Sequence, residues 1–162
     1  MASWRTHHKH DDYMTPKHAW DNVKHFIPKD KIIWEAFYGD GNSGKILTEL
    51  GFNVIHKDVD FYENNLGEII VSNPPFSSAK EVMNRMYELD KPFMLIMPAF
   101  KITTNYVRQW KDRNIQIIIP RKRINFIRIK DGVIDTTGKG ASFDCFYYCY
   151  KLGLPKDIIW LQ

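Results

Sequence analysis

Short apolar segments alternate with longer amphipathic ones along most of the chain. The apolar segments predict buried β-strands at 31–37, 52–56, 68–72, 93–97, 115–119 and 143–150. The stretches between them predict helices that end near Phe26, Leu50, Leu89 and Lys111. Strand–helix alternation of this kind predicts an α/β fold, in which a mostly parallel sheet carries helices on both faces.

Local signals predict where individual elements begin and end. Pro16 suits the first position of the first helix, and Thr15 is its predicted amino-terminal cap. Gly51 is predicted to end the second helix. From residue 121 onwards the pattern changes, because basic and apolar residues alternate over 121–130. Residues 131–132 then predict a turn, and 136–141 predict a glycine-rich loop.

The chain has 162 residues, which is enough for one domain with a substantial core and too few for two. Residues 1–12 are polar and predict a mobile terminus in front of that domain. The formal net charge of +4 mildly favours the binding of polyanionic partners. No apolar run reaches the about 18 residues of a membrane span, and no signal-peptide pattern precedes residue 13. A cytoplasmic protein without a membrane partner is therefore expected.

The two cysteines, Cys145 and Cys149, share one predicted strand. Their spacing places them on one face of that strand, about 13 Å apart. A disulfide requires Cα atoms within about 7 Å, so reduced and packed thiols are expected, as in a cytosolic protein. No set of His, Cys or carboxylate residues has the spacing of metal ligands, and no metal is predicted.

A glycine loop follows the first predicted strand. The strand ends at Phe37, Gly39 and Gly41 follow it, and a helix begins after them. Glycines let the backbone approach a ligand closely, and a helix amino terminus offers free N–H groups. Tight strand–helix turns also use glycine for steric reasons alone, so both interpretations stay open. The third glycine of the dinucleotide fingerprint is missing, which argues against a typical NAD site.

Two acidic residues follow the second predicted strand. A carboxylate of Asp58 or Asp60 at such a strand end can accept hydrogen bonds from ribose hydroxyls. Phe61 can pack against an adenine ring while Asp60 accepts from its amino group. A solvated turn is the alternative interpretation.

The tetrapeptide Asn73-Pro74-Pro75-Phe76 directly follows the third predicted strand. Neither proline has an N–H to donate to a sheet, and each restricts its own φ angle, so the Asn73 side chain and the Pro74 carbonyl are held rigidly. Two acceptors beside an aromatic ring match the two N–H donors and the flat ring of an exocyclic base amine. Both hydrogen bonds draw the amine towards a pyramidal geometry, in which it is a better nucleophile. A proline-rich strand terminator is the alternative.

These four residues resemble the [DNS]PP[YFW] motif of methyltransferases that use S-adenosylmethionine (SAM) and modify adenine N6 or, less often, cytosine N4. The resemblance covers most of the chain and includes the small, phage-type, Dam-like DNA adenine methyltransferases. It implies a Rossmann-like class I fold with an antiparallel last strand, with SAM as cofactor and S-adenosylhomocysteine as product. It also implies methyl transfer to adenine N6 in DNA, in the cytoplasm of a bacterial cell or a phage-infected host. Residues 73–76 would then be the catalytic residues.

The resemblance also implies which residues hold the cofactor. They belong to an amino-terminal segment, the glycine loop, the acidic strand end and the tetrapeptide, and they are Tyr13, Thr15, Pro16, Glu35, Phe37, Gly39, Gly41, Asp58, Asp60, Phe61 and Asn73. Glu35 would lie near the SAM amino group, and either Asp58 or Asp60 would bind the ribose. The family has a further strand and helix where this chain has only a short connection, so that unit is predicted to be reduced or missing between residues 61 and 68.

Basic residues crowd the second half of the chain, and those with a predicted role in nucleic-acid binding are Lys101, Arg121, Lys122, Arg123 and Arg128. Three adjacent cations near Phe126 suit a phosphate backbone beside a stacking platform. RNA is the alternative polymer, and a non-catalytic nucleic-acid-binding module is the alternative class of protein. No separate base-recognition domain is predicted, so low sequence specificity or a specificity partner subunit is expected.

Overall fold

A seven-stranded mixed sheet lies at the centre of the protein. The computed structural model describes residues 13–39, 41–130, 133–134 and 143–162. The predictions for 1–12, 131–132 and 136–141 lie outside the described residues. Numbered in chain order, the strands follow one another across the sheet as β3 (Asn53–Ile55), β2 (Ile32–Trp34), β4 (Ile69–Ser72), β5 (Phe93–Pro98), β9 (Cys145–Tyr150), β6 (Gln116–Ile119) and β10 (Ile158–Trp160).

All neighbouring strands of this sheet are parallel except β9, which runs antiparallel to both β5 and β6. The α/β class, the mostly parallel sheet and the antiparallel strand expected at 143–150 are thus confirmed. That strand is not the last one, because β10 follows it and pairs with β6. The sequence analysis missed β10 because its three residues are fewer than the roughly four to eight of the usual strand pattern.

A second, small sheet joins the amino-terminal segment to a hairpin. It consists of β1 (Tyr13–Met14), β7 (Ile127–Lys130) and β8 (Val133–Ile134), which pair antiparallel in that order. Tyr13 pairs with Arg128, and Met14 pairs with Ile127. The pairing of β1 with β7 holds the residues just before the first helix beside the main sheet.

Helices cover both faces of the main sheet, as the alternation predicts. They are α1 (Lys17–Asp21), α2 (Asn42–Glu49), α3 (Ala79–Leu89) and α4 (Asn105–Arg108). Successive side chains of a strand point to opposite faces. In β5, Met94 and Ile96 therefore belong to the core that α1 and α2 cover, whereas Leu95 belongs to the core beneath α3 and α4. In the described part of the chain, no helix has both the length and the apolar composition of a membrane span.

Two helices are shorter than predicted, and the other two, α2 and α3, end as predicted. α1 stops at Asp21, and a separate 3-10 turn over Lys24–Phe26 follows it. α4 stops at Arg108, and turns follow it. α2 ends just before Gly51, which has the left-handed φ of +94° expected after a helix.

Residues 61–68 contain neither a strand nor a helix, so the connection between β3 and β4 is as short as expected. Lys91 anchors this short connection. Its ammonium group donates to Asn65 Oδ1 at 2.9 Å, to the Leu66 carbonyl at 2.6 Å and to the Gly67 carbonyl at 2.9 Å. Gly67 has a φ of +63°, and a Cβ atom there would lie 3.0 Å from backbone atoms of β2. The connection therefore runs too close to β2 for a larger residue.

The two cysteines are buried free thiols, as predicted. In the β5–β9 ladder, Cys145 lies opposite Pro98 and Cys149 lies opposite Met94. Burial raises the pKa of the Cys145 thiol to about 12 and raises the pKa of Cys149 as well. Because the thiolate is the reactive form, neither cysteine is a ready nucleophile.

Substituting Lys91→Met should destabilise the protein, because the partly buried carbonyls of Leu66 and Gly67 lose their charged donor. We expect the free energy of unfolding in urea to fall by about 1–3 kcal/mol. The matched control is Lys156→Met, since Lys156 is exposed and its loss should cost less than about 0.5 kcal/mol. Equal stabilities of the two variants would contradict the anchoring role of Lys91.

Candidate active site

The carboxyl ends of the parallel strands meet at one edge of the sheet. Glu35 follows β2 and Asn73 follows β4 at this edge. Because β9 is antiparallel, its beginning lies at the same edge, where the N–H of Ala99, just after β5, donates to the Asp144 carbonyl at 2.8 Å. Crevices outside such strand ends are where open α/β sheets bind ligands.

The two polar atoms of the Asn73 side chain have different surroundings in the described part of the chain: the amide nitrogen is hydrogen-bonded, and the amide oxygen is not. Its Nδ2 donates to Thr15 Oγ1 at 2.9 Å. Its Oδ1 is buried, and no donor within the described ranges reaches that oxygen. A buried acceptor without a donor costs about 1–3 kcal/mol. The Asn73 oxygen is therefore available to a hydrogen-bond donor that the described chain does not supply.

Thr15 has a different role from the helix cap that the sequence predicts. Pro16 occupies the cap position of α1, and no side chain caps that helix. Thr15 is instead buried, where its hydroxyl accepts from Asn73 and its carbonyl accepts from Asn42 Nδ2 at 2.7 Å. The amino-terminal segment thus connects the end of β4 to the beginning of α2.

Glu35 and Ser72 form a buried polar pair beside Asn73. Both residues are at most 1% exposed, and the Ser72 hydroxyl donates to Glu35 Oε1. The Glu35 N–H donates to the Ile55 carbonyl at 3.1 Å. A carboxylate tolerates such burial only with polar partners. The sequence analysis missed Ser72, although a hydroxyl at the last position of an otherwise apolar strand is a usable signal.

The aromatic residue of the tetrapeptide belongs to a cluster of three rings. Pro74 is buried, Pro75 is extended with φ −60° and ψ 127°, and Phe76 begins a short 3-10 turn. Phe76 is only 8% exposed, because Phe126 and Phe143 pack against it edge to face, with ring centroids 5.9 and 5.4 Å away. The aromatic surface next to Asn73 is therefore shared by three segments of the chain.

The glycine loop adopts left-handed backbone conformations. The φ angle is +53° at Gly39 and +85° at Gly41, and the Gly41 N–H donates to the Tyr38 carbonyl at 2.7 Å. Gly44, in α2, is required for space instead, since a Cβ atom there would lie 2.3 Å from the His56 ring. That ring stacks on Tyr38 with centroids 4.5 Å apart. Tyr38 and His56 were not predicted, and only the fold brings them together.

The residues after β3 have very different surroundings. Asp58 is exposed, whereas Asp60 Oδ1 accepts from the Tyr62 N–H at 2.8 Å within its own turn. Phe61 is fully buried and packs against Phe37, with ring centroids 4.7 Å apart. Phe61 therefore lies in the core behind the strand end and has no open face for an adenine ring, in contrast to the sequence-based interpretation.

The three adjacent cations that follow β6 are not equivalent. Arg121 and Lys122 are exposed. Arg123 donates to both carboxylate oxygens of Asp144, at 3.1 and 3.2 Å. This hydrogen bonding by Arg123 holds the pKa of the Asp144 carboxyl below its ordinary value. Arg123 thus differs from Arg121 and Lys122 in having an anionic partner, and phosphate binding by the three cations stays a prediction.

Two further basic residues were predicted to bind nucleic acid. Lys101 lies just beyond β5, and its Nζ is 5.4 Å from the centroid of the Phe100 ring. Arg128 belongs to β7, and its side chain lies outside the described residues. Lys101 therefore shares the edge of the sheet that holds Asn73, next to an aromatic ring.

Comparisons with known proteins do not assign this chain to a family. No model of a protein family matches the sequence, and no curated protein matches it significantly. The basis for a function is therefore the site itself, which combines a buried acceptor, a buried carboxylate, a left-handed glycine turn and an aromatic cluster. Such a site can accept hydrogen bonds from a ligand with a flat ring and an amine.

Substituting Thr15→Val should destabilise the protein, because Asn73 Nδ2 loses its acceptor while the shape of the side chain is kept. The expected loss in the free energy of unfolding is about 1–3 kcal/mol. Thr15→Ser keeps the hydroxyl and loses one methyl group, so it should cost about 1 kcal/mol or less. Chemical denaturation compares the two, and a Val variant as stable as the Ser variant would count against this hydrogen bond.

Proposed function

We propose that the protein transfers a methyl group from SAM to the exocyclic N6 amine of adenine in DNA. The observation that carries this proposal is the buried and unsatisfied Oδ1 of Asn73 at the carboxyl end of β4. The amide nitrogen of Asn73 already donates to the Thr15 hydroxyl. This hydrogen bond orients the amide group, so that its oxygen can accept from a ligand. An exocyclic amine supplies the donor that this oxygen lacks.

The tetrapeptide supports the same substrate. In the proposed complex, the amine donates one hydrogen to Asn73 Oδ1 and the other to the Pro74 carbonyl. The half-buried Phe143 offers the aromatic surface against which the base ring would pack, and the buried rings of Phe76 and Phe126 support it. A base in a duplex must first leave the stack to reach such a site, at a cost of a few kcal/mol.

The proposed cofactor is SAM, and several residues at the neighbouring strand ends fit it. Gly39 and Gly41, both with a left-handed φ, present backbone without side chains. Glu35 suits the SAM amino group, and either Asp58 or Asp60, which follow β3, suits the ribose. Phe61 would support this wall from within the core. When bound, SAM supplies a methyl group activated by a positively charged sulfur.

The sheet supports a reduced Rossmann-like methyltransferase fold. Its parallel strands β2, β3, β4 and β5 end at the edge that carries the glycine turn, the acidic strand end and the tetrapeptide. The turns at 61–68 take the place of the strand–helix unit that larger members of such a family would have there.

Positioning is the main contribution of the chain to the proposed reaction. Asn73 and Pro74 hold both amine hydrogens, which weakens conjugation of the nitrogen lone pair with the ring. The nitrogen would then bond to the methyl carbon as the bond from that carbon to the sulfur breaks, with S-adenosylhomocysteine as the leaving group. The methylated nitrogen would release one proton to solvent. Proximity and orientation lower such barriers by several kcal/mol, so no dedicated general base is required.

The alternative substrate is adenine in RNA, with the same chemistry. Asn73, Pro74 and the aromatic cluster would contact only the base, which is identical in the two polymers. A specificity partner subunit is compatible with either substrate. Methylation assays on DNA and RNA oligonucleotides of the same sequence distinguish them, and mass spectrometry of the product nucleosides identifies the modified atom.

Substituting Asn73→Ala should reduce methyl transfer by roughly 100-fold or more, because the amine loses one of its two acceptors. A tritiated-methyl assay measures transfer, and isothermal titration should show that SAM binding largely survives. The matched control is Asn84→Ala, since Asn84 is an exposed residue of α3 and its variant should keep wild-type turnover. Near-normal turnover of the Asn73 variant would rule out the proposed mechanism.

Binding of an adenine-containing oligonucleotide should weaken steeply as salt is added, because phosphate contacts release counterions. Lys122→Ala should reduce the slope of log K against log salt by roughly 0.7–0.9. Lys156→Ala is the control, since the Lys156 carbonyl accepts from Gln116 at the start of β6, at the opposite edge of the sheet. A flat salt dependence of the wild-type protein would contradict a nucleic-acid substrate.

A further inference from the structure

Charged residues are unevenly distributed among the segments at the carboxyl edge of the sheet. The segment 57–63, after β3, contains three acidic residues and one basic residue. The segments 98–108 and 119–130, after β5 and β6, contain basic residues and no acidic ones. Asp144, at the start of β9, is paired with Arg123. The β5–β6 side of this edge therefore attracts a polyanion.

A row of aromatic rings leads from the Asn73 site towards this basic side. Phe143 packs edge to face against Phe76 at 5.4 Å and against Phe100 at 5.9 Å. Exposure increases along the row, from 8% at Phe76 to 59% at Phe100. The aromatic surface is thus continuous from the candidate site to a ring in solvent.

Phe100 combines an anchored backbone with an exposed ring. On one side, the Ala99 N–H donates to the Asp144 carbonyl at 2.8 Å, and the Tyr148 hydroxyl donates to the Pro98 carbonyl at 2.8 Å. The Phe100 carbonyl itself accepts from the Thr103 hydroxyl at 3.3 Å. A ring on such an ordered segment loses little conformational freedom when a ligand packs against it.

We propose that Phe100 is a stacking platform for the nucleotide next to the target base in a single-stranded nucleic acid. Lys101, beside the Phe100 ring, and the exposed Arg121 and Lys122 contact the phosphates of that strand. This inference rests on the proposed function, because the row directs the neighbouring nucleotide towards Asn73. Every base has an aromatic face, so the platform needs no particular sequence.

The exposed ring favours a single strand over a duplex. In a duplex, neighbouring bases cover the faces of each base, and proteins read the base edges from the grooves. Unpaired nucleotides can be splayed out and stacked on aromatic side chains. The recognised feature is therefore an unpaired base that flanks an adenine, and both RNA and single-stranded DNA can supply it.

Fluorescence anisotropy without SAM tests this role. The whole chain is titrated into a labelled adenine-containing DNA strand, its duplex, and the RNA strand of the same sequence. We expect tighter binding to the single strands than to the duplex. Phe100→Leu should weaken single-strand binding roughly tenfold, because leucine is apolar but has no aromatic face, whereas Phe100→Trp should retain it. Both variants should keep the wild-type thermal midpoint, since the ring is exposed.

Three results would overturn the inference: tighter binding to the duplex, equal affinities of the Leu variant and the wild-type protein, or the same loss in the Leu and Trp variants. The binding assay does not depend on methyl transfer. The stacking role of Phe100 and the proposed methyltransferase function can therefore be contradicted independently. Methyl transfer by a protein whose binding ignores Phe100 would overturn only this inference. Phe100-dependent binding by a wild-type protein that methylates no nucleic acid would overturn only the proposed function.

Discussion

The pairing of β5 with β9 is the constraint on which the rest of the site depends. β5 is buried along all of its residues, with α1 and α2 over one face and α3 and α4 over the other. Because β9 runs antiparallel to β5, it begins at the edge where the parallel strands end. This reversal brings Phe143 against Phe76 and the Asp144 carbonyl to the Ala99 N–H. A parallel strand in the same place would have put both residues at the opposite edge.

The hydrogen-bonding groups at this edge of the sheet belong to buried polar side chains. The Ser72 hydroxyl donates to Glu35 Oε1, and the Thr15 hydroxyl accepts from the nitrogen of the Asn73 amide. The other end of that amide is left without a donor from the described chain. An unsatisfied buried acceptor costs about 1–3 kcal/mol, which ordinary packing would avoid by placing a donor nearby. This acceptor lies next to two prolines, and the proposed exocyclic amine would supply its donor.

Charge and aromatic surface divide the edge into two sides. The side near β3 carries acidic residues and the glycine turn, whereas the side near β5 and β6 carries cations and the row of rings that ends at Phe100. The proposed cofactor and the proposed polymer would approach from these two sides and meet at Asn73. The ion pair between Arg123 and Asp144 offsets part of the repulsion that the Asp144 carboxylate would exert on a phosphate backbone.

The sequence by itself determined the α/β class, the main strands and the position of Asn73 within a rigid tetrapeptide. These features depend on hydrophobic alternation and on backbone restrictions within a few residues. Only the tertiary structure decided that Thr15 anchors Asn73 instead of capping a helix, and that Arg123 is paired with Asp144. Those partners are 58 and 21 residues apart in the chain. Local pattern carries no information about such contacts, because the order and direction of strands across the sheet decide which distant segments meet.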